Sequence, residues 1–319
     1  QRSLASLGEL IALDRHSQDL CGDLGNLTGI ADTVHALRPD VVVNAAAHTA
    51  VDRAESEPEL ARTINALAPG VLAEETGKLG AWLVHYSTDY VFDGSGARPW
   101  LETDTPAPLS VYGQTKLEGE QLIQAKCAKH LIFRTSWVYA ARGGNFPKTM
   151  LRLAQERERL TVIDDQFGAP TGAELIADVT AHAIRQVLLR PQDAGLYHLA
   201  AQGETTWNRY AKHVIAQAQR VQPAMKIVAF EVAAVPTSAF PTPAQRPHNS
   251  RLDCRRLQSV FGLTLPAWQQ DVDRMLSEIL DLSEFNRKKG RLAELSGTQP
   301  QRQALACGRA DIICLAALL

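Results

Sequence analysis

"AWLVHYSTDYVF", residues 81–92, is an apolar run that ends in hydroxyl-bearing and acidic side chains. Short, continuous runs rich in Val, Ile and Leu are typical of strands buried on both faces of a parallel sheet. Three more runs have this character: "ELIALD" (9–14), "DVVVNAAAHTAVD" (40–52) and "HLIFRTSWVY" (130–139). Helix-like stretches separate the runs, at residues 28–37, 57–78 and 112–128. This alternation predicts an α/β fold, a doubly wound parallel sheet with helices on both faces.

The composition argues against several classes of partner and site. The net charge is −2 over 319 residues, which gives no electrostatic case for binding a nucleic acid or a membrane surface. No apolar run reaches the ~18 residues of a membrane span. The five cysteines are scattered and include no CxxC pair. This usage favours a reducing, cytoplasmic setting and argues against a disulfide framework or a metal site of the zinc type.

A dinucleotide-binding βαβ unit has a glycine-rich turn after its first strand and a ribose-binding acid about 20 residues later. Asp14 ends an apolar run and fits that acid, so the glycine turn and the first strand are expected to precede residue 1. The opening "QRSLASLGEL" accordingly reads as the end of a helix. The glycines of "CGDLGNLTG" (21–29) follow the second strand of such a unit and are interpreted as a chance match. We expect the polypeptide 1–319 to bind cofactor poorly, and it can be inactive as it stands, unless it is a fragment of a longer protein.

The candidate cofactor contacts leave the choice of cofactor open. Asp14 would accept hydrogen bonds from ribose hydroxyls, which favours NADH, whereas Arg15 could pair with the 2′-phosphate of NADPH. A solvated acid at a strand end is the alternative interpretation of Asp14. Asp23 lies in a loop at the same sheet edge and could reach an adenine. The small residues Ala46, Ala47 and Thr49 let a flat cofactor lie close to the backbone, or else reflect tight packing.

Tyr112 and Lys116 are four residues apart, so on a helix they share one face. Reduction of a ketone by hydride requires a proton for the carbonyl oxygen, and a phenol with a pKa of ~10 is a poor donor near neutral pH. An adjacent lysine ammonium would lower that pKa and could also bind the ribose of the cofactor. A hydroxyl from Thr88 or Ser87 would hold the substrate oxygen near Tyr112. The pattern therefore predicts a catalytic Thr88, Tyr112 and Lys116.

The pattern of strands changes after Tyr139, and we predict three regions. Residues 1–140 form a Rossmann-like NAD(P)-binding domain that is truncated at its N-terminus. Residues 141–280 contribute late Rossmann elements, including the strand "GLYHLAA" (195–201), and a smaller C-terminal substrate-binding lobe. Within this region, the proline-rich "AVPTSAFPTPAQRPHNSRLD" is either a surface linker or a rigid loop that lines the substrate cleft. Residues 281–319 match no motif and are expected to form an atypical, loose tail.

Several sequence blocks carry a resemblance to a known family. "STDYVF" and "YGQTKLEGE" are similar to the extended short-chain dehydrogenase/reductases. The narrower set "VVNAAAHTAVDRAE", "VHYSTDYVFDG", "FRTSWVYA", "QFGAPTGAELIAD" and "RPHNSRLD" resembles the dTDP-4-dehydrorhamnose reductases. The resemblance runs from about residue 1 to residue 280. It implies reduction of the 4-keto group of dTDP-4-dehydro-L-rhamnose by NADPH or NADH, with Tyr112 as the proton donor, Lys116 as its partner and Thr88 beside them.

The resemblance also implies roles for residues outside this trio. It implies that Asp23, Ala46, Ala47 and Thr49 contact the cofactor and that Asp89, Tyr90 and Trp137 face the sugar. An indole at a strand end independently offers an apolar platform for a deoxysugar, although a core tryptophan is the alternative. Fixed cations are needed for a diphosphate, and Arg246, Asn249 and Arg251 in the proline-rich loop are candidates for substrate binding. Family members form homodimers, and the resemblance makes Mg²⁺ a possible ligand, although the sequence contains no metal-binding motif.

Two other functions remain open from the sequence. One is a non-catalytic, NADP-binding regulatory protein of the same fold, against which the intact Thr88, Tyr112 and Lys116 argue. The other is a nucleotide-sugar epimerase or dehydratase, because Asp89 supplies the acid that a dehydratase places beside its hydroxyl. The blocks "QFGAPT" and "RPHNSRLD" favour the reductase.

Overall fold

The computed structural model describes residues 1–293 and 310–316. Its strands, numbered along the chain, are β1 (Gly8–Leu13), β2 (Val41–Ala45), β3 (Trp82–Thr88), β4 (His130–Thr135), β5 (Val138–Tyr139), β6 (Arg159–Ile163), β7 (Phe167–Gly168), β8 (Thr171–Gly172), β9 (Gly195–His198), β10 (Thr205–Thr206), β11 (Glu231–Val235) and β12 (Ala310–Ala316). Six of these strands form one sheet in the order β1-β12-β2-β3-β4-β9, and every pairing in it is parallel. The predicted parallel α/β architecture is therefore confirmed.

The helices are α1 (Leu27–Leu37), α2 (Val51–Ala54), α3 (Pro58–Arg62), α4 (Ala68–Leu79), α5 (Val111–Lys126), α6 (Phe146–Glu156), α7 (Ala173–Leu189), α8 (Trp207–Val221), α9 (Arg255–Phe261) and α10 (Trp268–Ala293). Apolar side chains of α1, α4 and α5 pack against one face of the sheet, around Leu83 and Ile132. Side chains of α7 and α9 pack against the other face, around Val84 and Phe133. Both faces of the sheet are thus covered, which explains why its strands read as unbroken apolar runs.

A second apolar cluster lies apart from the sheet. It is formed by α6, α8, the first turns of α10 and β6, and its buried residues include Tyr210, Val214 and Leu276. The strand β11 pairs with β6 in a separate two-stranded sheet. This second core is consistent with the predicted substrate lobe within residues 141–280, although the domain boundaries stay a prediction.

The expected loose tail covers residues 281–319, of which 281–293 continue α10, while 294–309 and 317–319 lie outside the described residues. The expectation is wrong for residues 310–316. They form β12, which pairs with β1 through Gly8↔Ala310 to Leu13↔Leu315 and with β2 through Ile312↔Val41 to Ala316↔Ala45. The buried Ile312 and Cys314 join the apolar cluster on the α7 face. A strand from late in the chain therefore lies between β1 and β2, in a sheet whose first strand we expected to be missing, and it pairs with the backbone of both.

The opening residues also differ from the expectation. Residues 1–7 form hydrogen-bonded turns rather than the end of a regular helix, with the Ala5 N–H donating to the Gln1 carbonyl at 3.0 Å. Within the described residues, no helix is both long and apolar enough to cross a bilayer.

Candidate active site

The carboxyl ends of β2, β3 and β4 lie side by side at one edge of the sheet. This adjacency brings together Asn44 near the end of the first of these strands, Thr88 at the end of the second and Trp137 just beyond the third. Ligand sites of open parallel sheets form at such carboxyl ends. The arrangement follows from the parallel pairing of β2 with β3 and of β3 with β4.

The helix α5 carries Tyr112 and Lys116 to this edge. Ser110 caps its N-terminus, accepting a hydrogen bond from the Gly113 N–H at 3.2 Å. A β-carbon at Gly113 would lie 2.2 Å from the Tyr90 carbonyl, so glycine allows the first turn of α5 to rest against the loop after β3. The phenol rings of Tyr90 and Tyr112 meet edge to face with centroids 5.5 Å apart. The helix start is thereby fixed over the strand end.

Thr88 and Tyr112 face each other at the strand end. The hydroxyl of Thr88 donates to the Asp89 carboxylate at 3.1 Å and accepts from the Tyr90 N–H at 3.2 Å. Burial raises the pKa of Tyr112 to about 12, and its hydrogen bond with Thr88 opposes that rise. The expectation that Lys116 lowers this pKa below the ordinary value is therefore wrong for the free protein, because burial of the phenol dominates.

Lys116 is buried beneath the strand end, with 2% of its surface exposed. Its ammonium group donates to the Tyr86 carbonyl at 2.5 Å, and Nζ lies 3.1 Å from Nε2 of His85. Burial lowers the pKa of Lys116 to about 8, while the Glu120 carboxylate acts in the opposite direction. A lysine with this pKa exchanges its proton near physiological pH, which an ordinary surface lysine does not.

A buried ion pair fixes α5 against β4. Arg134 donates twice to the Glu120 carboxylate, from Nε at 2.9 Å and from Nη2 at 2.6 Å, and both residues are almost fully buried. The Arg134 guanidinium also lies over the ring of Phe92, 5.0 Å from its centroid. Because one unpaired buried charge is costly, this bidentate pair strongly restricts sliding of the helix along the strand.

A cavity of about 500 Å³ opens beside the strand ends. Tyr90 and Trp137 line it on the side of the sheet, and Trp207, Phe146 and Met150 line it on the side of the second core. Tyr112 does not line this cavity itself but contacts it through Tyr90. The site therefore lies between the sheet and the predicted substrate lobe.

Trp137 has an unusual backbone conformation. Its φ of 50° is in the left-handed region, which a bulky side chain seldom adopts. Its indole stacks on that of Trp207, with centroids 3.8 Å apart and planes 16° from parallel. A β-carbon at Gly168 would lie 2.7 Å from the Trp137 ring, so the glycine makes room for the stacked pair. Such strain is retained where the surrounding structure holds it, often at functional sites.

The three candidates in the proline-rich loop have different surroundings, and Arg251 pairs with Glu204 at 2.6 Å. Arg246 lines the cavity and pairs with Asp52 at 2.7 Å, with both side chains partly exposed. Asn249 is buried, and its amide donates to the carbonyls of Ser95 and Arg98 and accepts from Arg251. The prediction that Asn249 binds substrate is therefore wrong in this structure, because its hydrogen-bonding groups are used to hold the loop.

This chain is similar to known proteins of one family. A family model described as "RmlD substrate binding domain" matches residues 1–280. The dTDP-4-dehydrorhamnose reductase of Escherichia coli (strain K12) is 61% identical over 279 residues, covering 88% of this chain and 93% of that protein. The chain belongs to the dTDP-4-dehydrorhamnose reductase family. The resemblance found in the sequence blocks is thus confirmed.

Solved structures of dTDP-4-dehydrorhamnose reductases share the fold. The enzyme of Clostridium acetobutylicum ATCC 824 is similar at a TM-score of 0.71 and 35% identity, covering 82% of this chain and 87% of that one. The enzyme of Bacillus anthracis str. Ames, in complex with NADP, gives the same TM-score and identity, with 80% and 86% covered.

In this member of the reductase family, three buried hydroxyls at the strand ends lack a protein partner. Ser87, Thr135 and Ser136 each have a buried hydroxyl oxygen without a hydrogen-bond partner, at the carboxyl ends of β3 and β4. Buried polar groups are normally paired, and none of these three residues lines the cavity described above. These three residues were not singled out from the sequence, although Ser87 was weighed as an alternative to Thr88.

The predicted cofactor contacts lie along the same sheet edge. Asp14 follows β1, and its carboxylate accepts from the His16 N–H at 2.7 Å, while Arg15 is exposed beside it. Asp23 uses its carboxylate to accept from the Gly25 N–H at 2.9 Å.

The small residues Ala46 and Ala47 lie partly exposed after β2, and Thr49 lines the cavity. Their chain segment is held in place by Asn65, which accepts from the His48 N–H at 2.8 Å and donates to its carbonyl at 3.1 Å.

Sequence reasoning missed several residues of the reductase cavity. Ser250 lies beside Asp89 and hydrogen-bonds to it, and Asp52 pairs with Arg246. Other residues that line the cavity come from elements distant in the chain: Trp207, Phe146, Met150, Gln166 and Phe240. Ser250 belongs to the block "RPHNSRLD", which was a usable signal, whereas nothing in the sequence linked α6 and α8 to the strand ends.

Across residues 1–293 and 310–316, no group of three or more His, Cys, Asp or Glu side chains could hold a metal ion. The resemblance made Mg²⁺ a possible ligand, and no chemical step is assigned to it.

Proposed function

We propose that this chain reduces the 4-keto group of dTDP-4-dehydro-L-rhamnose to give dTDP-L-rhamnose, using a nicotinamide cofactor. The observation that carries the proposal is the position of Thr88, Tyr112 and Lys116 at one strand end in a chain 61% identical to a dTDP-4-dehydrorhamnose reductase. A pure binding protein has no need of a proton donor held in this way.

The protein's own part in the reaction is to deliver a proton. A bound nicotinamide cofactor supplies the hydride that the keto carbon receives. Tyr112 donates its phenolic proton to the oxygen that becomes the new hydroxyl, and Thr88 holds that oxygen by its hydroxyl. The raised pKa of Tyr112, about 12, keeps the phenol protonated until the oxygen gains negative charge.

Lys116 stabilises the phenolate that the transfer leaves behind. It lies one helical turn after Tyr112, on the same face of α5. The buried setting strengthens attraction between an ammonium and a phenolate, because little water screens them.

The substrate is proposed to occupy the cavity between the sheet and the second core. The stacked Trp137 offers an apolar surface to the deoxysugar, and Tyr90 and Asp89 lie at the sugar end beside Thr88. Arg246 is the proposed partner of the diphosphate, since a guanidinium presents paired donors to phosphate oxygens. For this role Arg246 must give up or share its pairing with Asp52.

The finer properties of the cofactor and the assembly stay proposals. Ser87, Thr135 and Ser136 are available to hold the cofactor at the strand ends, with Asp14 and Arg15 farther along the edge. Asp14 favours NADH and Arg15 favours NADPH, and a relative from Bacillus anthracis str. Ames was solved with NADP. The homodimer and the cytoplasmic location are predictions from the resemblance and the composition.

The test is a spectrophotometric assay of the protein that carries this chain, with NADPH and dTDP-4-dehydrorhamnose. Loss of nicotinamide absorbance supports the reductase, and a sugar product without net consumption supports an epimerase. Tyr112→Phe should lower kcat by about 10²- to 10⁴-fold, because the proton donor is gone, with cofactor affinity unchanged.

The matched control is Tyr197→Phe, which removes a phenol that donates to the Asp193 carbonyl and does not line the cavity. This variant should retain kcat. Equal losses in both variants would contradict the assignment of Tyr112.

A further inference from the structure

His85 is a buried histidine beside the catalytic lysine that the mechanism above does not use. It lies on β3, three residues before Thr88, with 1% of its surface exposed. Its Nε2 is 3.1 Å from Nζ of Lys116, and its Nδ1 is 3.1 Å from Nδ2 of Asn44. The imidazole thus connects the catalytic lysine to the end of β2.

The donors and acceptors in the series of hydrogen bonds from Asn44 through His85 to Lys116 follow from the contacts of Asn44. Oδ1 of Asn44 accepts from the Ala46 N–H at 3.2 Å, so the NH₂ group of Asn44 is the one that faces His85. An NH₂ group only donates, and Nδ1 of His85 must therefore accept. A neutral imidazole carries one hydrogen, which is then on Nε2 and points at Lys116.

This orientation has a consequence for Lys116. An ammonium group has no lone pair, so it cannot accept from the Nε2–H of His85. A neutral amine can accept that hydrogen bond. We propose that His85 is a positioning residue that, oriented by Asn44, favours release of the proton of Lys116 during the proposed reaction.

The release completes the proton balance of the proposed reaction, on which this inference rests. Tyr112 gives its proton to the substrate oxygen and becomes a phenolate. Lys116 passes a proton to that phenolate, and the resulting amine accepts the Nε2–H of His85. A proton from solvent restores the ammonium, and His85 itself is neither protonated nor deprotonated. Burial holds the pKa of His85 well below its ordinary value, which keeps the imidazole neutral.

Other charged and polar groups near Lys116 also affect the balance between its ammonium and amine forms. On its own helix, Glu120 favours the ammonium, although Arg134 of β4 already pairs with that carboxylate at 2.6 Å. From the neighbouring elements, His85 and the Tyr86 carbonyl on β3 contact Lys116, and Asn44 on β2 contacts His85. Asp89 after β3 acts on Tyr112 of α5. Within the described residues, Glu120 and Asp89 are the carboxylates among them, and neither contacts His85.

The first test is the tautomer of His85, read from ¹⁵N chemical shifts of the imidazole nitrogens. The signal is assigned by its loss in His85→Gln. We expect a neutral ring with hydrogen on Nε2 at pH 7 and pH 9. A ring with hydrogen on Nδ1 at both pH values would overturn the proposal. This measurement needs no enzymatic activity, so it also separates failure of the inference from failure of the proposed function.

The second test is the pH profile of kcat/KM in Asn44→Asp. A carboxylate at this position accepts from Nδ1–H, moves the ring hydrogen off Nε2 and lets the imidazole accept from the Lys116 ammonium. We expect the alkaline limb of the profile to move up by about one pH unit or more.

A double-mutant cycle separates this effect from that of the added charge alone. In the His85→Gln background, Asn44→Asp should leave the alkaline limb unmoved if the effect passes through the imidazole. A shift of the same size in that background would overturn the proposal. Melting temperatures of all variants are measured alongside, and His182→Gln, an exposed histidine on α7, should change neither the limb nor the tautomer of His85.

Discussion

Asp89 is a buried carboxyl group whose charge the fold disfavours. Burial raises its pKa to about 6, against the opposing hydrogen bonds of Ser250 and Thr88. A folded-state pKa above the unfolded value of 3.8 means that the native state binds more protons between about pH 4 and pH 6. Stability therefore falls as the pH rises through this window and stays lower above it.

Asp89→Asn should remove this dependence. At pH 7 we expect the variant to be more stable than the parent by roughly 2 kcal/mol, and at pH 4 by far less, as measured by urea unfolding. Asp93→Asn is the control, because a hydrogen bond from Ser95 lowers the pKa of Asp93 and no stabilisation should result. Equal gains at both pH values would contradict the assignment of a buried, partly protonated Asp89.

Arg246 and Asn249 are neighbours in the chain with separable effects. Arg246→Met removes the cation from the cavity and should raise KM for the nucleotide sugar by about tenfold or more, with unfolding free energy nearly unchanged. Asn249→Ala leaves the carbonyls of Ser95 and Arg98 without their donor and should cost about 2 kcal/mol of stability. Steady-state kinetics and urea unfolding of both variants test these two assignments. A larger increase in KM from Asn249→Ala than from Arg246→Met would contradict them.

At the residue scale, the sequence predicted what depends on short spacing. Tyr112 and Lys116 share a helix face, and Thr88 ends a strand, so their placement followed from local pattern. The role of Asn249 did not, because its partners lie about 150 residues earlier in the chain. The pKa of Tyr112 also escaped prediction, since it depends on how deeply the folded protein buries the phenol.

At the scale of elements, α5 is placed by close contact with the segment before α4. A β-carbon at Gly119 would lie 2.2 Å from the Asn65 carbonyl, too close for any side chain. Asn65 also donates to Thr115 on α5 and holds the chain at His48. Movement of α5 away from Asn65 would therefore displace Tyr112 as well as the proposed cofactor loop.

Gly119→Ala should cost about 1–3 kcal/mol of stability and lower kcat, because α5 must shift to accept the methyl group. Gly144→Ala is the matched control, since a β-carbon there meets nothing within 4 Å and φ is not positive. Its unfolding free energy should change by under about 1 kcal/mol. Unfolding curves and kcat for both variants provide the comparison, and equal effects would contradict the close packing at Asn65.

The elements themselves were largely readable from the sequence. The apolar runs gave β1 to β4 within a few residues, and "GLYHLAA" gave β9 with its return to the sheet. The stretch 57–78 was predicted as one helix, but the structure divides it into α3, a π-helical segment Thr63–Leu67 and α4. The π-helical segment places Asn65 between the loop after β2 and α5. This placement depends on tertiary contacts, which helical periodicity in the sequence does not encode.

At the scale of the molecule, the sheet depends on a strand from late in the chain. Among the described strands, β1 joins the sheet only through β12. The segment Ala310–Ala316 is mostly apolar, but residues 281–319 matched no motif. Predicting a strand there would have required knowing that β1 and β2 need a strand between them. The sequence therefore predicted that the first strand was missing, but not that residues 310–316 would supply a strand beside β1.

Ile312→Asp tests this arrangement, because Ile312 is 1% exposed and pairs with both Leu10 and Val41. A carboxylate in that position lacks a partner and should displace β12, since an unpaired buried charge is among the most costly substitutions. Hydrogen exchange of the backbone amides of β1 and the facing side of β2 should then accelerate, while amides shared by β3 and β4 stay protected. Leu189→Asp, on a side chain 81% exposed, should leave all of these amides unchanged. Unaltered protection of β1 in Ile312→Asp would mean that β12 does not hold β1 in the sheet. Loss of protection would show that β12 also holds in place the strand that precedes Asp14, which links the late segment of the chain to the proposed cofactor edge.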